Sequence, residues 1–332
     1  MAERSFDAKR WLGWDTAIIA LTVIWLVVAS LSVENFGTSR NFTFLILDLL
    51  PIAIVALPMT FIIVTGEIDL SVASTLGLSS AVMGQLWTAG LSIETIIPLC
   101  VLLGAVLGAL NGFLVTGLGL PSLAVTIGTL ALYRGLAFVV LGDSAVADFP
   151  EKYTGWVVGT INDGAVPNVL ILLVILAAVF GVLLHATPFG RSLYAIGANA
   201  QAAHFSGIRV ARTKFWLYVL SGAIAGLAGV LWTLRYSSAR ADNGAGLELA
   251  VVAAVLLGGV SIFGGKGTLP GVLAGVLLLA ALQNALRLED VSGQALNVVT
   301  GVLLVASVLL PNIITSVRGG RQRRKLRQAT TA

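Results

Sequence analysis

The chain has 332 residues, of which 57% are hydrophobic and only 11% are charged, and its mean hydropathy is +0.96. These values lie outside the range of ordinary soluble domains. The net charge of +4 is concentrated in the tail at 318–327, which fits an anionic inner membrane leaflet and requires no nucleic acid. The sequence therefore predicts an all-α, polytopic membrane protein.

The first half of the chain contains apolar runs that predict about five membrane spans. They cover 17–31, 42–64, 70–89, 93–116 and a fifth run that ends near 142. No small-residue cleavage site closes the first run, so we interpret it as an uncleaved span rather than a signal peptide. Pro51 and Pro58 are expected to kink the second span. Residues 1–13 form a predicted cytoplasmic segment.

The second half begins with the hydrophilic stretch 143–167, in which acidic residues dominate, and this charge predicts an external, periplasmic loop. Further spans are predicted at 166–187, 215–234, 247–263, 269–286 and 295–310. The total of about ten is even, so both termini are predicted to be cytoplasmic. A transmembrane domain at 14–315 would then be followed by a basic cytoplasmic tail at 316–332.

The longest polar run between two apolar segments is 190–214, which contains basic residues and no acidic one. A Lys/Arg excess in a short loop marks the cytoplasmic side, so this segment is a candidate docking loop. Its Ala-rich part from Asn199 to Ser206 predicts a short helix that stops at Gly207. The residues expected to transmit a conformational change to a partner are Asn199, Ala202, Ala203, His204, Ser206 and Gly207.

A weak internal similarity relates the two halves. Ile68, Asp69 and Leu70 open the third span as Leu247, Glu248 and Leu249 open the eighth, and Asn111 has a counterpart in Asn284. An offset of about five spans would invert the second copy and place a solute path between the halves. Chance similarity between apolar helices explains the match equally well, so an inverted repeat remains one of two possibilities.

Polar residues within or beside the spans each have a structural and a functional interpretation. Glu67 and Asp69 either cap the third span or line a gate. Asp48 and Arg134 are predicted at similar depth, and a lone charge there is costly, so we expect an ion pair. The remaining candidates for a translocation path are Asn111, Glu248, Gln283 and Asn284. The amides of Asn111, Gln283 and Asn284 can also bond between helices.

No motif indicates catalysis or a cofactor. The glycines of 259–267 lack the spacing of a phosphate-binding loop and are expected to form a tight turn between helices. Cys100 is the single cysteine, and His185 and His204 are isolated, so no metal site is predicted. We expect a protein without enzymatic activity of its own.

Several motifs together resemble the membrane permeases of bacterial ABC importers for sugars, in the branch for ribose, xylose, rhamnose and autoinducer-2. They are TGEIDLS at 65–71, similar to TGGIDLS; GLPS at 119–122 with GTL at 128–130 and YRG at 133–135; YAIG at 194–197 with SGI at 206–208; and VLLGGVSIFGG at 255–265. Glu67 stands where the family usually has a second Gly, and Asp48 stands where an amide or a small polar residue is more usual. In these two residues and in the segment 237–244, the chain is more similar to rhamnose and autoinducer-2 permeases than to ribose permeases. Rhamnose is the sugar that we favour.

The resemblance implies a multi-pass protein of the bacterial inner membrane that pairs with a second permease, either itself or a paralogue. It further implies ABC ATP-binding subunits at the inner face, which would hydrolyse ATP, and a secreted sugar-binding protein. Three alternatives remain. The first is an autoinducer-2 permease of the same branch. The second is a branched-chain amino acid permease of a related ABC branch. The third is a proton-coupled secondary carrier that uses Asp48, Glu67 or Asp69 as its proton site.

Overall fold

A computed structural model describes residues 13–307 and residue 309 of the protein, and the regular structure of that part is helical. This confirms the all-α prediction there. The predicted segment 1–13 lies outside the described residues except for Gly13, and the tail 316–332 lies wholly outside them. The helices are α1 (Trp14–Ser32), α2 (Ser39–Val64), α3 (Val72–Thr88), α4 (Ile93–Thr116), α5 (Ser122–Leu141), α6 (Glu151–Val158), α7 (Leu170–His185), α8 (Pro188–Ala198), α9 (Ala200–Phe205), α10 (Val210–Tyr236), α11 (Leu247–Leu257), α12 (Leu269–Leu288) and α13 (Gly293–Ser307).

The prediction of a polytopic membrane protein is confirmed, but the count of about ten spans is not. Among the described residues, six helices are long and apolar enough to cross a bilayer, namely α1, α2, α4, α5, α10 and α12, and the pair α7 and α8 makes up to seven. α3 has 17 residues and α11 has 11, so both fall short of the ~20 residues typical of a membrane-spanning helix. The predicted eighth span, 247–263, is wrong beyond Leu257. Its helix ends at Leu257 because Gly259 adopts a φ of +92°.

α2 is the central helix. From Ala53 to Val64 every residue is buried, and α7, α10, α11 and α12 pack around it. A helix that is apolar on all sides is stable either within a protein core or in lipid, and the burial of α2 places it in the core of the bundle. Pro51 and Pro58 lie inside α2 without ending it, although each lacks the N–H that would bond to the preceding turn.

α4 and α10 cross in direct backbone contact through glycines. A Cβ placed on Gly104 would lie 2.1 Å from the carbonyl oxygen of Gly222, and one on Gly108 would lie 2.1 Å from that of Tyr218. Small residues at a four-residue spacing let two membrane helices bring their backbones into contact. Ser79 of α3 also donates a 2.8 Å hydrogen bond to the carbonyl of Gly226, so three helices are joined at this crossing.

The two ends of the bundle have different polar contacts. At one end, called the loop end, Trp14 Nε1 donates to the carbonyl of Leu257 at 2.9 Å, and Lys214 pairs with Glu67 at 2.5 Å. At the opposite end, called the far end, Asn41 and Asn284 exchange amide hydrogen bonds of 2.9 and 3.1 Å. The segments at 186–209 and 258–268 belong to the loop end, and 142–169 belongs to the far end.

Candidate functional sites

The predicted docking loop 190–214 is mostly helical, with two short helices between α7 and α10. α8 begins after Thr187, whose side chain accepts from Gly190 N, and is bent by 65° from α7. The Thr-Pro pair at 187–188 is typical of a helix start, and our sequence interpretation missed it. α10 begins at Val210 rather than 215, so the true loop is shorter than predicted.

The predicted short helix is confirmed as α9. Asn199 is its N-cap, and its Oδ1 accepts from the N–H of Ala202 at 2.9 Å. Gly207 follows with a φ of +87°, a left-handed conformation that glycine adopts without steric cost. These two residues therefore set the ends of α9 locally, which explains why the sequence alone located it.

The outward face of α9 differs from the one we expected. Ala203 is only 4% exposed and faces the protein, so it is unsuited to contact a partner directly. Ala202, His204 and Ser206 are exposed. Phe205, which was not among the predicted residues, is 80% exposed. An exposed aromatic ring is one of the side chains that most often anchor a protein–protein contact, so Phe205 is a candidate contact residue.

Backbone contacts fasten the end of α8 to the bundle. A Cβ on Gly197 would lie 1.9 Å from the carbonyl oxygen of Val64 and 2.4 Å from the nitrogen of Gly265. Gly265 N donates to that same carbonyl of Val64 at 2.9 Å, and the hydroxyl of Tyr194 donates to Gly267 O at 2.7 Å. The end of α2, the end of α8 and the glycine turn are thus packed without intervening side chains. The expected tight turn at 259–267 is confirmed.

Glu67 and Asp69 have different surroundings although they are close in sequence. Glu67 pairs with Lys214 and so joins the α2–α3 turn to the first turns of α10. Asp69 is 1% exposed, and its Oδ1 accepts from the backbone N–H and the hydroxyl of Ser71 at 3.0 and 2.6 Å. Its Oδ2 accepts from Ser221 at 3.1 Å. Asp69 thereby supports the start of α3, which favours the capping interpretation.

Asn111 belongs to this same buried network. Its side-chain N–H donates to the hydroxyl of Ser71 at 2.8 Å, and its Oδ1 accepts from Tyr133 at 3.3 Å. Asn111 is completely buried. It therefore bonds between helices and lies apart from Gln283 and Asn284, which are at the far end.

The expected ion pair of Asp48 with Arg134 is wrong. Asp48 pairs with Arg287 at 2.7 Å and also contacts Arg235. Arg134 instead donates to the carbonyls of Ala241 and Asn243 at 2.6 and 2.8 Å and to that of Ala73 at 3.2 Å. The prediction rested on depth along each helix, and depth does not show which face of the helix a charge occupies.

Some polar residues of the far end form hydrogen bonds between helices, and some line a cavity. Asn284 is 6% exposed and engaged with Asn41. Gln283 donates to Thr300 of α13 at 2.9 Å. Glu248 lies half-buried in the first turn of α11. Asp48, Gln283 and Asn284 line one cavity of 170 Å³ together with the two arginines that pair with Asp48.

Outside the spans, Arg240 and Asp242 form an exposed pair at 2.9 Å. Hydrogen bonds from this guanidinium hold the pKa of Asp242 below its ordinary value. In the part of the chain that the structure describes, no group of three or more His, Cys, Asp or Glu side chains is arranged to hold a metal ion.

A bundle of long apolar helices, with a short exposed helix fixed to one end and a polar cavity at the other, is typical of a polytopic membrane protein. Residues 41–308 match the family described as "Branched-chain amino acid transport system / permease component". The chain belongs to this family, and the sequence resemblance to ABC importer permeases is confirmed. It is a permease subunit of an ABC importer in the bacterial inner membrane.

Similar curated proteins are autoinducer-2 import system permease proteins, LsrD. That of Yersinia enterocolitica is 35% identical over 303 residues, covering 90% of this chain and 91% of the relative. Those of Yersinia pseudotuberculosis and Yersinia pestis are each 34% identical and cover 90% of both chains. The preference for rhamnose receives no support from these relatives. No solved structure matches the chain at a significant level.

Proposed function

We propose that the protein carries autoinducer-2, or a small polyhydroxylated solute like it, inward across the bacterial inner membrane. The observation that carries this proposal is the similarity to autoinducer-2 permeases over nine-tenths of both chains. The family supports ATP-binding subunits and a substrate-binding protein as partners. We further propose that the chain pairs with a second permease, its own copy or a paralogue, within membrane lipid.

Reconstitution tests the function. The permease is placed in liposomes with the ATP-binding subunits and the secreted binding protein of the same importer. Uptake of labelled autoinducer-2, rhamnose and leucine is then compared. We expect ATP-dependent uptake of autoinducer-2 above both competitors. Uptake driven by a proton gradient without the ATPase and the binding protein would instead establish a secondary carrier. Leucine as the preferred substrate would establish the amino acid branch.

We also propose about ten membrane crossings, both termini in the cytoplasm, and a transmembrane domain at 14–315. α11 supports this count, because it is almost wholly buried and a span enclosed by protein tolerates non-helical backbone beside it. The opposite placement of Asp69 at the loop end and Glu248 at the far end fits an inverted repeat. Single cysteines at Ser206 and Asp163 should be labelled from opposite sides of the membrane. Labelling from the same side contradicts this topology.

We propose that α9 contacts the ATP-binding subunit through Phe205, with Ala202, His204 and Ser206 around it. The Phe205→Ala variant is expected to weaken association with that subunit by about 30-fold or more, since an aromatic anchor contributes about 2 kcal/mol or more. ATP hydrolysis stimulated by the binding protein should fall in parallel, while the amount of permease in the membrane stays unchanged. Titration of the ATPase against the permease in nanodiscs measures the first effect.

The matched control is Phe263→Ala, because Phe263 is exposed to 75% on the neighbouring glycine turn at the same end. We expect association close to wild type. The reverse result, with Phe263→Ala uncoupled and Phe205→Ala normal, would move the contact to residues 258–268. Ala203→Trp is expected to displace α9 from the bundle, since Ala203 is buried, and is therefore a poor test of the contact.

A further inference from the structure

The cavity at the far end lies between α2, α10 and α12 and the start of α11. Its polar wall consists of Asp48, Arg235, Gln283 and Arg287, and Trp232 and Tyr236 of α10 form an aromatic wall. Its volume of 170 Å³ would hold about five to six water molecules at ~30 Å³ each. The size suits a small solute rather than a peptide or a lipid.

The charges in the cavity exceed what a structural ion pair requires. The side chain of Arg235 is 8% exposed, contacts Asp48 and the carbonyl of Leu47, and stacks 4.7 Å above the ring of Tyr236. This contact already offsets the cost of placing the carboxylate within α2. Arg287 supplies a second guanidinium whose side chain is 56% exposed at the cavity rim. One carboxylate and two guanidiniums leave one positive charge in excess.

The cavity has both hydrogen-bond donors and an acceptor that are not used within the protein. A guanidinium has five N–H donors, and Arg287 uses one of its nitrogens on Asp48. Gln283 Nε2 donates to Thr300, and among the described residues no donor reaches Gln283 Oε1. Donors, an acceptor and an aromatic wall therefore meet in one small space. Hydroxyl groups, which donate and accept, match this combination better than an ammonium group or a purely apolar ligand does.

We propose that this cavity binds a small polyhydroxylated solute of carbohydrate size on the far side of the permease, with Arg287 and Gln283 as its hydrogen-bonding residues. The proposal rests on the proposed function and extends it, because it gives the permease its own recognition step after the binding protein. Asp48 orients Arg287, and Arg235 holds Asp48. The aromatic rings of Trp232 and Tyr236 contact the apolar face of the solute ring.

Direct binding to the permease tests this proposal. The full chain in nanodiscs, without binding protein or ATPase, is titrated with autoinducer-2 and rhamnose, and tryptophan fluorescence and the unfolding temperature are recorded. We expect saturable binding of at least one of these polyols, with no competition by inorganic phosphate or leucine. Gln283→Leu and Arg287→Gln should each raise the half-saturating concentration about tenfold or more, because each removes a hydrogen-bonding partner of the bound solute.

Glu289→Gln is the matched control, because Glu289 is exposed just after α12 and does not line the cavity. It should bind like wild type. All variants should keep the wild-type unfolding temperature within a few degrees, and Arg287→Lys provides a milder second change if Arg287→Gln does not accumulate. Competition by phosphate would overturn the proposal in favour of an anion site.

Unchanged binding in both Gln283→Leu and Arg287→Gln would also overturn it. The assembled importer separates this outcome from failure of the function. If the wild-type complex transports the polyol and the two variants transport it equally well, only the cavity proposal fails. If the wild-type complex transports no polyol, the proposed function fails first.

Discussion

Replacing Gly108 by Leu is expected to abolish the folded permease. A Cβ at this position would lie 2.1 Å from the carbonyl oxygen of Tyr218 and 3.2 Å from Cα of Gly222. Both obstructing groups are backbone, so no side chain can rotate away, and α4 and α10 would have to separate. The cost should exceed the ~1–3 kcal/mol of ordinary overpacking. Protein yield after detergent extraction and size-exclusion chromatography measures the loss.

Gly128→Leu is the matched control, because Gly128 also lies within a helix, α5, but a Cβ there meets nothing within 4 Å. We expect a yield close to wild type, since leucine has the higher helix propensity. Equal recovery of the Gly108 and Gly128 variants would mean that α4 and α10 do not cross at their backbones. Gly222→Leu provides a reciprocal check from the opposite helix, since its Cβ would lie 2.1 Å from the carbonyl oxygen of Gly104.

Replacing Arg134 by Leu is expected to destabilise the permease by several kcal/mol. The guanidinium donates to the carbonyls of Ala73, Ala241 and Asn243. Each buried acceptor that loses its partner costs about 1–3 kcal/mol. Arg134→Lys should recover only part of this, because a single ammonium group cannot reproduce the planar arrangement of donors. Thermal unfolding in a mild detergent, monitored by tryptophan fluorescence, should give unfolding temperatures that fall from wild type to Arg134→Lys to Arg134→Leu.

Adding Asp48→Leu to Arg134→Leu tests whether Arg134 bonds to backbone carbonyls or pairs with Asp48, as expected from the sequence. Because Asp48 contacts Arg235 and Arg287 instead, Asp48→Leu should not restore the stability lost in Arg134→Leu. The stability losses of the two single variants should add. A double variant more stable than Arg134→Leu alone would support the pairing that the structure contradicts. Arg240→Leu serves as the control for losing an arginine near the far end, since its pair with Asp242 is exposed and worth about 1 kcal/mol or less.

Much of the architecture could be predicted from the sequence because membrane insertion is a local property. A run of apolar residues of sufficient length forms a helix in lipid whatever its neighbours are. The ends of α9 were predictable for the same reason, since Asn199 and Gly207 act on adjacent backbone. The short helix α11 was harder to predict from the sequence. α11 is enclosed by protein, so hydropathy extended it past Leu257 into backbone that is not helical.

Sequence patterns were sufficient to identify an all-α membrane protein, a short capped helix in the polar segment after α7, and charged residues within spans. The partners of Asp48 and Arg134, the burial of Ala203 and the exposure of Phe205 became apparent only from the packing of the helices. These depend on the rotation of each helix about its axis. That rotation is set by contacts between residues far apart in sequence, such as Gly104 with Gly222, which hydropathy and local capping do not encode.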